Sequence, residues 1–210
     1  MLAAMSERSF VVTTAYTKTE PVQIALFATV FLGEQITSML VAAVLIATSG
    51  VLALSWPQRT GQEIFSWRSA ILGIVSGGLF ALAAVGFRGG IIALGTVEFV
   101  PAATVTLAIS LTAQTALLSA WLLMRDPDVL RAVLKSWRQS YPTGFLGAFA
   151  SEMWFLAFAL ETPTRVRTLG LVEILIAGIV SRKLFQQTPG IRDMIGMVLV
   201  TLGIALLFNG

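Results

Sequence analysis

The chain has 210 residues, 56% of them hydrophobic and 12% charged, and a formal net charge of +3. A soluble domain carries roughly 25% charged residues, and a fold of this length could not hide so much apolar surface from water. Cys and His are both absent, which excludes disulfides, thiolate or imidazole catalysis and the usual zinc sites.

The charge-free runs then set the architecture. Residues 35–58, 69–87 and 99–124 contain no Asp, Glu, Lys or Arg. A bilayer core needs about 20 helical residues, so each run is long enough to span. Backbone groups in lipid must bond internally, which makes these segments helices. Residues 9–17 are apolar but too short to cross, and read as the tail of a helix. The spacing predicts about seven spans in chain order, over 19–34, 36–55, 67–87, 100–124, 143–160, 166–185 and 191–208. Pro21 suits the first turn of the first span. The third is expected to end at Arg88, and Glu152 and Glu173 interrupt the fifth and sixth. No opening stretch reads as a cleavable signal, because Glu7 and Arg8 come too early.

The loop over 125–142 differs from the others. Asp126-Pro127-Asp128 is a good helix start. Val129, Leu130, Val133, Leu134 and Trp137 follow at helical spacing on one side, with Arg131, Lys135 and Arg138 on another. This predicts an amphipathic helix, either interfacial or a short surface helix with a solvated basic face. Counting Lys and Arg by loop favours the side holding this loop as cytoplasmic, which places the C-terminus outside.

An internal echo organises the chain further. Residues 41–54, VAAVLIATSGVLAL, are matched by 194–207, MIGMVLVTLGIALL, with Gly203 standing 153 positions after Gly50. Upstream, Val22-Gln23-Ile24 pairs with Val172-Glu173-Ile174 at an offset of 150. Such repeats define an architecture. With five spans in the second copy, an odd number, the two copies would be inverted, a recurring plan for secondary transporters.

Ionisable groups at membrane depth are costly and mark function by default. Glu152 lies near the middle of its predicted span and could carry a proton, or could be a structural acid bonded to a neighbouring helix. Glu173 lies about two turns into its predicted span, where Arg165 or Arg167 could pair with it or attract an anionic substrate. Gln23 occupies the position matching Glu173 and favours a shared cavity. Gln114 is central in the long charge-free run and needs a partner. Trp154 and Phe158, one turn apart, could line a cavity or simply pack. Gly73 and Gly77 allow close helix approach. No catalytic constellation or phosphate loop accompanies these residues, so the expectation is a non-enzyme that needs no metal or cofactor.

Several stretches resemble a known family. Ala15-Tyr16-Thr17-Lys18-Thr19-Glu20-Pro21-Val22 and Phe31-Leu32-Gly33-Glu34 look like the end of an EamA-type repeat, of the drug/metabolite transporter superfamily. Tyr141-Pro142-Thr143-Gly144, Trp154–Leu160, Val166–Glu173 and Ser181–Phe185 are similar to its second copy. The resemblance implies an all-α polytopic membrane protein of inverted five-helix repeats, with about seven transmembrane helices present of an expected ten. The expected organisation is a remnant of the first repeat over 1–55, a loop over 56–66 and a complete second repeat over 67–208. On that pattern roughly 90 residues of the first repeat would be missing.

The function so implied is a multi-pass carrier in a bacterial inner membrane. It would move a small organic metabolite or amphiphile by alternating access; coupling to protons through Glu152 or Glu173 is the reading of those carboxylates at membrane depth. Its partners would be the lipid bilayer, a small-molecule substrate and a second copy or complementing chain, with no nucleic acid. The rival readings are a non-transporting subunit that completes another chain's fold, and an inactive product of a truncated or mis-started gene.

Overall fold

The computed structural model describes residues 16–55, 67–95, 98–176, 180 and 190–208, and for Ser55, Arg68 and Ser69 it describes the backbone alone. Every regular element among the described residues is an α-helix: α1 (Glu20–Leu32), α2 (Ser38–Ser55), α3 (Trp67–Ala93), α4 (Phe99–Arg125), α5 (Pro127–Lys135), α6 (Trp137–Leu160), α7 (Pro163–Gly170) and α8 (Ile191–Leu207). The chain divides into two compact units. One holds Met1–Gly86 and Thr162–Gly210, the other Phe87–Glu161.

Among the described residues, three helices are long and apolar enough to cross a membrane: Ala70–Ala93, Phe99–Arg125 and Trp137–Leu160. The expectation of about seven spans therefore needs correction among the described residues. The first predicted span, 19–34, is the 13-residue α1, about 20 Å long at 1.5 Å per residue. It ends where Gly33 turns left-handed at φ 65°. The sixth, predicted as one helix over 166–185, is broken. The eight-residue α7 stops at Gly170, Leu171 is a turn and helix resumes over 172–176. Hydropathy saw only the apolar run, whereas a bond from Leu171 N to Thr168 O, 3.2 Å long, tightens the chain at that point. Residues 1–15, 56–66 and 181–189 lie outside the described residues, and with them most of the predicted tail at 9–17, the linker and the basic positions Arg59, Arg182 and Lys183.

Two predicted boundaries also move. Helix α3 runs past Arg88 to Ala93, because the Arg88 guanidinium donates to the carbonyls of Phe158 and, at 2.9 Å, Ala159. The charge that should have ended the helix instead satisfies carbonyls left open at the end of α6. Helix α6 begins at Trp137 rather than near residue 143. Pro142 falls in its second turn, where a missing N–H costs one backbone bond and does not stop the helix.

The first unit is held by α2 against α8. Along α8 the buried residues are Gly196, Val200, Gly203 and Leu207, a stripe of three- and four-residue steps. Facing them on α2 are Leu40, Ala43, Val44, Ala47 and Val51, all buried. A Cβ on Gly50 would stand 2.7 Å from both Gly196 O and Val200 N, and one on Gly203 would stand 2.6 Å from Ala47 N and 2.8 Å from Ala43 O. The helices are thus antiparallel and touch backbone to backbone. This is how helices cohere where lipid supplies no hydrophobic drive between them. The contact is also its own image. Shifting every residue of one helix by the 153-position offset turns the Gly50 contacts with Gly196 and Val200 into those of Gly203 with Ala43 and Ala47.

In the second unit, α4 and α6 run antiparallel, joined by α5. Asp126 caps α5 by accepting from Val129 N at 3.3 Å, and Pro127 sits at its first position, as the sequence predicts. Much of α4 is exposed, including Leu117, Leu118 and Leu123. On helices of membrane length, such faces suit lipid.

Candidate functional site

Within the first unit the structure gathers four charged side chains and one amide. Glu20, in the first turn of α1, is buried, although it carries a carboxylate. Arg167, in the last turn of α7, meets it in a two-pronged contact, Nε to Oε1 at 2.8 Å and Nη2 to Oε2 at 2.8 Å. The planar fork matches both carboxylate oxygens, which a lysine could not do. Each charge also stands at the helix end that favours it, the anion at an N-terminus and the cation at a C-terminus.

Beside this pair, Lys18 Nζ bonds Glu173 Oε1 at 2.9 Å. The two pairs differ in burial: side-chain exposure is 11% for Glu20 and 27% for Arg167, against 29% for Lys18 and 60% for Glu173. The first pair is therefore largely shielded, and the second is partly open. Gln23, one turn along α1 from Glu20, donates to Thr19 Oγ1 at 3.1 Å and to Ile74 O at 3.3 Å. It fits there because Gly77 and Gly78 on α3 leave room: a Cβ on Gly78 would stand 2.7 Å from Gln23 Oε1. The close approach that the Gly73–Gly77 spacing promised is made at Gly77 and Gly78, to the segment from Thr17 to Gln23.

Three predicted site residues, Gln23, Arg167 and Glu173, therefore belong to one polar region of the first unit. The predicted pairing of Arg167 or Arg165 with Glu173 is replaced by Arg167 with Glu20 and Lys18 with Glu173. Sequence reasoning missed Lys18 and Glu20. Glu20 precedes a proline at a helix start, where an acidic residue reads as a favourable first-turn charge. No local signal tied it to a cation 147 positions away.

The other predicted residues belong to the second unit. Glu152, half-buried on α6, lies 2.6 Å from the Thr104 hydroxyl of α4. The same hydroxyl reaches back to Val100 O at 3.0 Å. Thr104 is a residue that sequence reasoning passed over, because threonines are common in membrane helices and usually bond their own backbone. Trp154 and Phe158 form a ring pair at 6.0 Å, and Phe155 meets Phe87 at 4.6 Å. Gln114 is exposed on α4 and is not drawn into the Glu152 site. No group of three His, Cys, Asp or Glu side chains able to hold a metal occurs among the described residues.

Comparison with known proteins adds the family. Residues 67–209 match the EamA-like transporter family, a stretch covering more than half of the chain. No curated protein matches the chain. The matched stretch contains α3 to α8, with all three membrane-length helices and the acidic residues Glu152 and Glu173. The chain therefore belongs to the EamA-like transporter family of the drug/metabolite transporter superfamily, and is an all-α, multi-pass membrane protein.

Proposed function

We propose that the chain is a secondary carrier that moves a small organic metabolite or amphiphile by alternating access between inverted repeats, resident in a bacterial inner membrane. The observation that carries this reading is the exchange symmetry of the α2–α8 contact, in which Gly50 and Gly203 play equivalent parts. A two-fold axis relating antiparallel helices runs across them. For helices standing upright in a bilayer, it lies in the membrane plane, as in inverted-repeat carriers. The broken run at α7 supports the same reading, since discontinuous helices beside charged groups commonly form carrier sites. Lys18–Glu173, the more exposed pair, is the one available to a substrate.

Proton coupling through Glu152 is part of this proposal. Thr104 has one hydroxyl proton and two acceptors within reach, Val100 O and Glu152 Oε1. When Glu152 is ionised, Thr104 donates to it. When Glu152 carries a proton, Glu152 donates to Thr104, whose own proton turns to Val100 O. The Thr104–Glu152 hydrogen bond is kept in both states with its direction reversed, so the carboxyl can change state without losing its partner.

The test is reconstitution of the chain into vesicles holding a trapped pH dye, with pools of small organic compounds supplied outside. The expected result is compound-driven proton movement that disappears in Glu152→Gln while the variant still folds. Compound uptake in Glu152→Gln with its proton movement intact would remove Glu152 from the mechanism. The absence of uptake of any compound by the parent would remove the carrier reading.

A further inference from the structure

We propose that α5 is an in-plane anchor that docks on the anionic surface of the bilayer in which α4 and α6 are embedded. Three observations carry this. First, α5 joins the ends of two membrane-length helices directly: α4 ends at Arg125, α5 spans Pro127–Lys135 and α6 begins at Trp137. With single-residue joints at Asp126 and Ser136, it has no slack with which to leave the membrane surface.

Second, its apolar face is largely uncovered, with only Leu130 partly buried. No residue of α5 is buried, and Leu134 and Trp137 are 64% and 59% exposed. At 100° per residue, Val129, Leu130, Val133 and Leu134 form one continuous face, and Arg131 and Lys135 lie opposite. A sequence this amphipathic, left unburied beside two spans, has its apolar face matched by the boundary between headgroups and acyl chains. The Trp137 indole prefers the same depth.

Third, the charge balance of the segment is positive. Arg125, Arg131, Lys135 and Arg138 stand against Asp126 and Asp128. Both carboxylates are also occupied locally. Asp126 caps the helix, and Asp128 holds Arg131 at 2.8 Å. Arg138 lies over the Trp137 ring at 5.4 Å, which brings a cation to the interfacial ring. Basic residues beside a bilayer each gain from anionic headgroups.

The absence of cysteine makes the test direct. Full chains carrying Val133→Cys or Lys135→Cys, labelled with a small fluorophore, are placed in vesicles of phosphatidylcholine alone or with about one phosphatidylglycerol in four. Acrylamide, being neutral, reports exposure to water, and lipids brominated on their chains report depth. In the anionic vesicles we expect the label at position 133 to be quenched by bromolipid and several-fold less by acrylamide than the label at 135. The protection at 133 falls in neutral vesicles. In anionic vesicles it also falls in high salt, or when Arg131, Lys135 and Arg138 are changed to Gln. The salt arm decides the matter if the triple variant does not fold. Equal acrylamide quenching at both positions, or equal protection in neutral and anionic vesicles, overturns the proposal. Protection restored in neutral vesicles by inorganic phosphate overturns it too, by making the site one for free anions.

Discussion

The two units solve the problem of living in lipid differently. In the first, Ile24, Ala43, Ala47, Val51 and Val200 are almost wholly inaccessible, and the helices meet through glycines close enough for backbone contact. Its charges are paired across elements far apart in sequence. In the second, α4 and α6 are both of membrane length. They expose most of their apolar side chains; Thr104 of α4 bonds Glu152 of α6, and Arg88 of α3 bonds the end of α6. Lipid tails are as apolar as leucine, so burial alone does not drive membrane helices together. Cohesion in the first unit therefore comes from backbone approach and ion pairs, while the second tolerates open faces because lipid can cover them.

The sharpest way to break this comparison is to add one methyl group to each unit. At Gly50 a Cβ meets backbone atoms of α8 at 2.7 Å, whereas at Gly147 on α6 a Cβ meets nothing within 4 Å. Gly50→Ala is expected to lower stability by about 1–3 kcal/mol. Gly147→Ala should leave it unchanged or raise it by about 0.5–1 kcal/mol, since glycine disfavours a helix interior. Thermal unfolding of both variants in detergent checks this. Similar destabilisation by both would show that the second unit is packed as tightly as the first. Gly203→Ala should behave like Gly50→Ala, because its contacts are equivalent.

Next in size is the clamp between α1 and α7. Arg167→Met leaves Glu20 buried without its cation, and breaking a buried pair from one side costs about 3–5 kcal/mol. The partial exposure of Arg167, 27%, places the loss below that range, near 2 kcal/mol. The double change Glu20→Gln with Arg167→Met should recover much of it, and Arg167→Lys should recover little, for want of the second prong. A double change no better than the single one would mean the residues do not act as a pair.

The smallest expected effect is at the exposed pair. Glu173→Gln should alter stability by no more than about 1 kcal/mol, as exposed ion pairs do. If Lys18 and Glu173 face substrate, the same change should nonetheless weaken compound uptake in the reconstituted chain. Loss of stability without loss of uptake would reverse the roles given to the two pairs.

How legible this was depended on the range of the signal. The α5 helix was readable in detail, since its Asp-Pro start and its alternation of apolar and basic faces are local. Helices α2 and α8 were readable both as elements and, through the 153-position echo of Gly50 and Gly203, as equivalents. That their echoing glycines face each other was not, because a repeat gives equivalence and not contact. The break after α7 escaped because hydropathy averages over a window, while the turn at Leu171 depends on where Thr164 and Thr168 are buried and bonded.

The sequence by itself determined the solvent, the all-helical class and the family, because composition, apolar run length and motif order do not depend on the final packing. Tertiary structure decided which charges are partners. Arg167 had Glu20 and Glu173 as carboxylates of equal formal charge in the same unit, and the packing of α1 against α7 brings it to Glu20 in a two-pronged contact. It also decided that Arg88 continues a helix instead of ending one, since a charge stops a membrane helix only when water is the nearest group able to satisfy it.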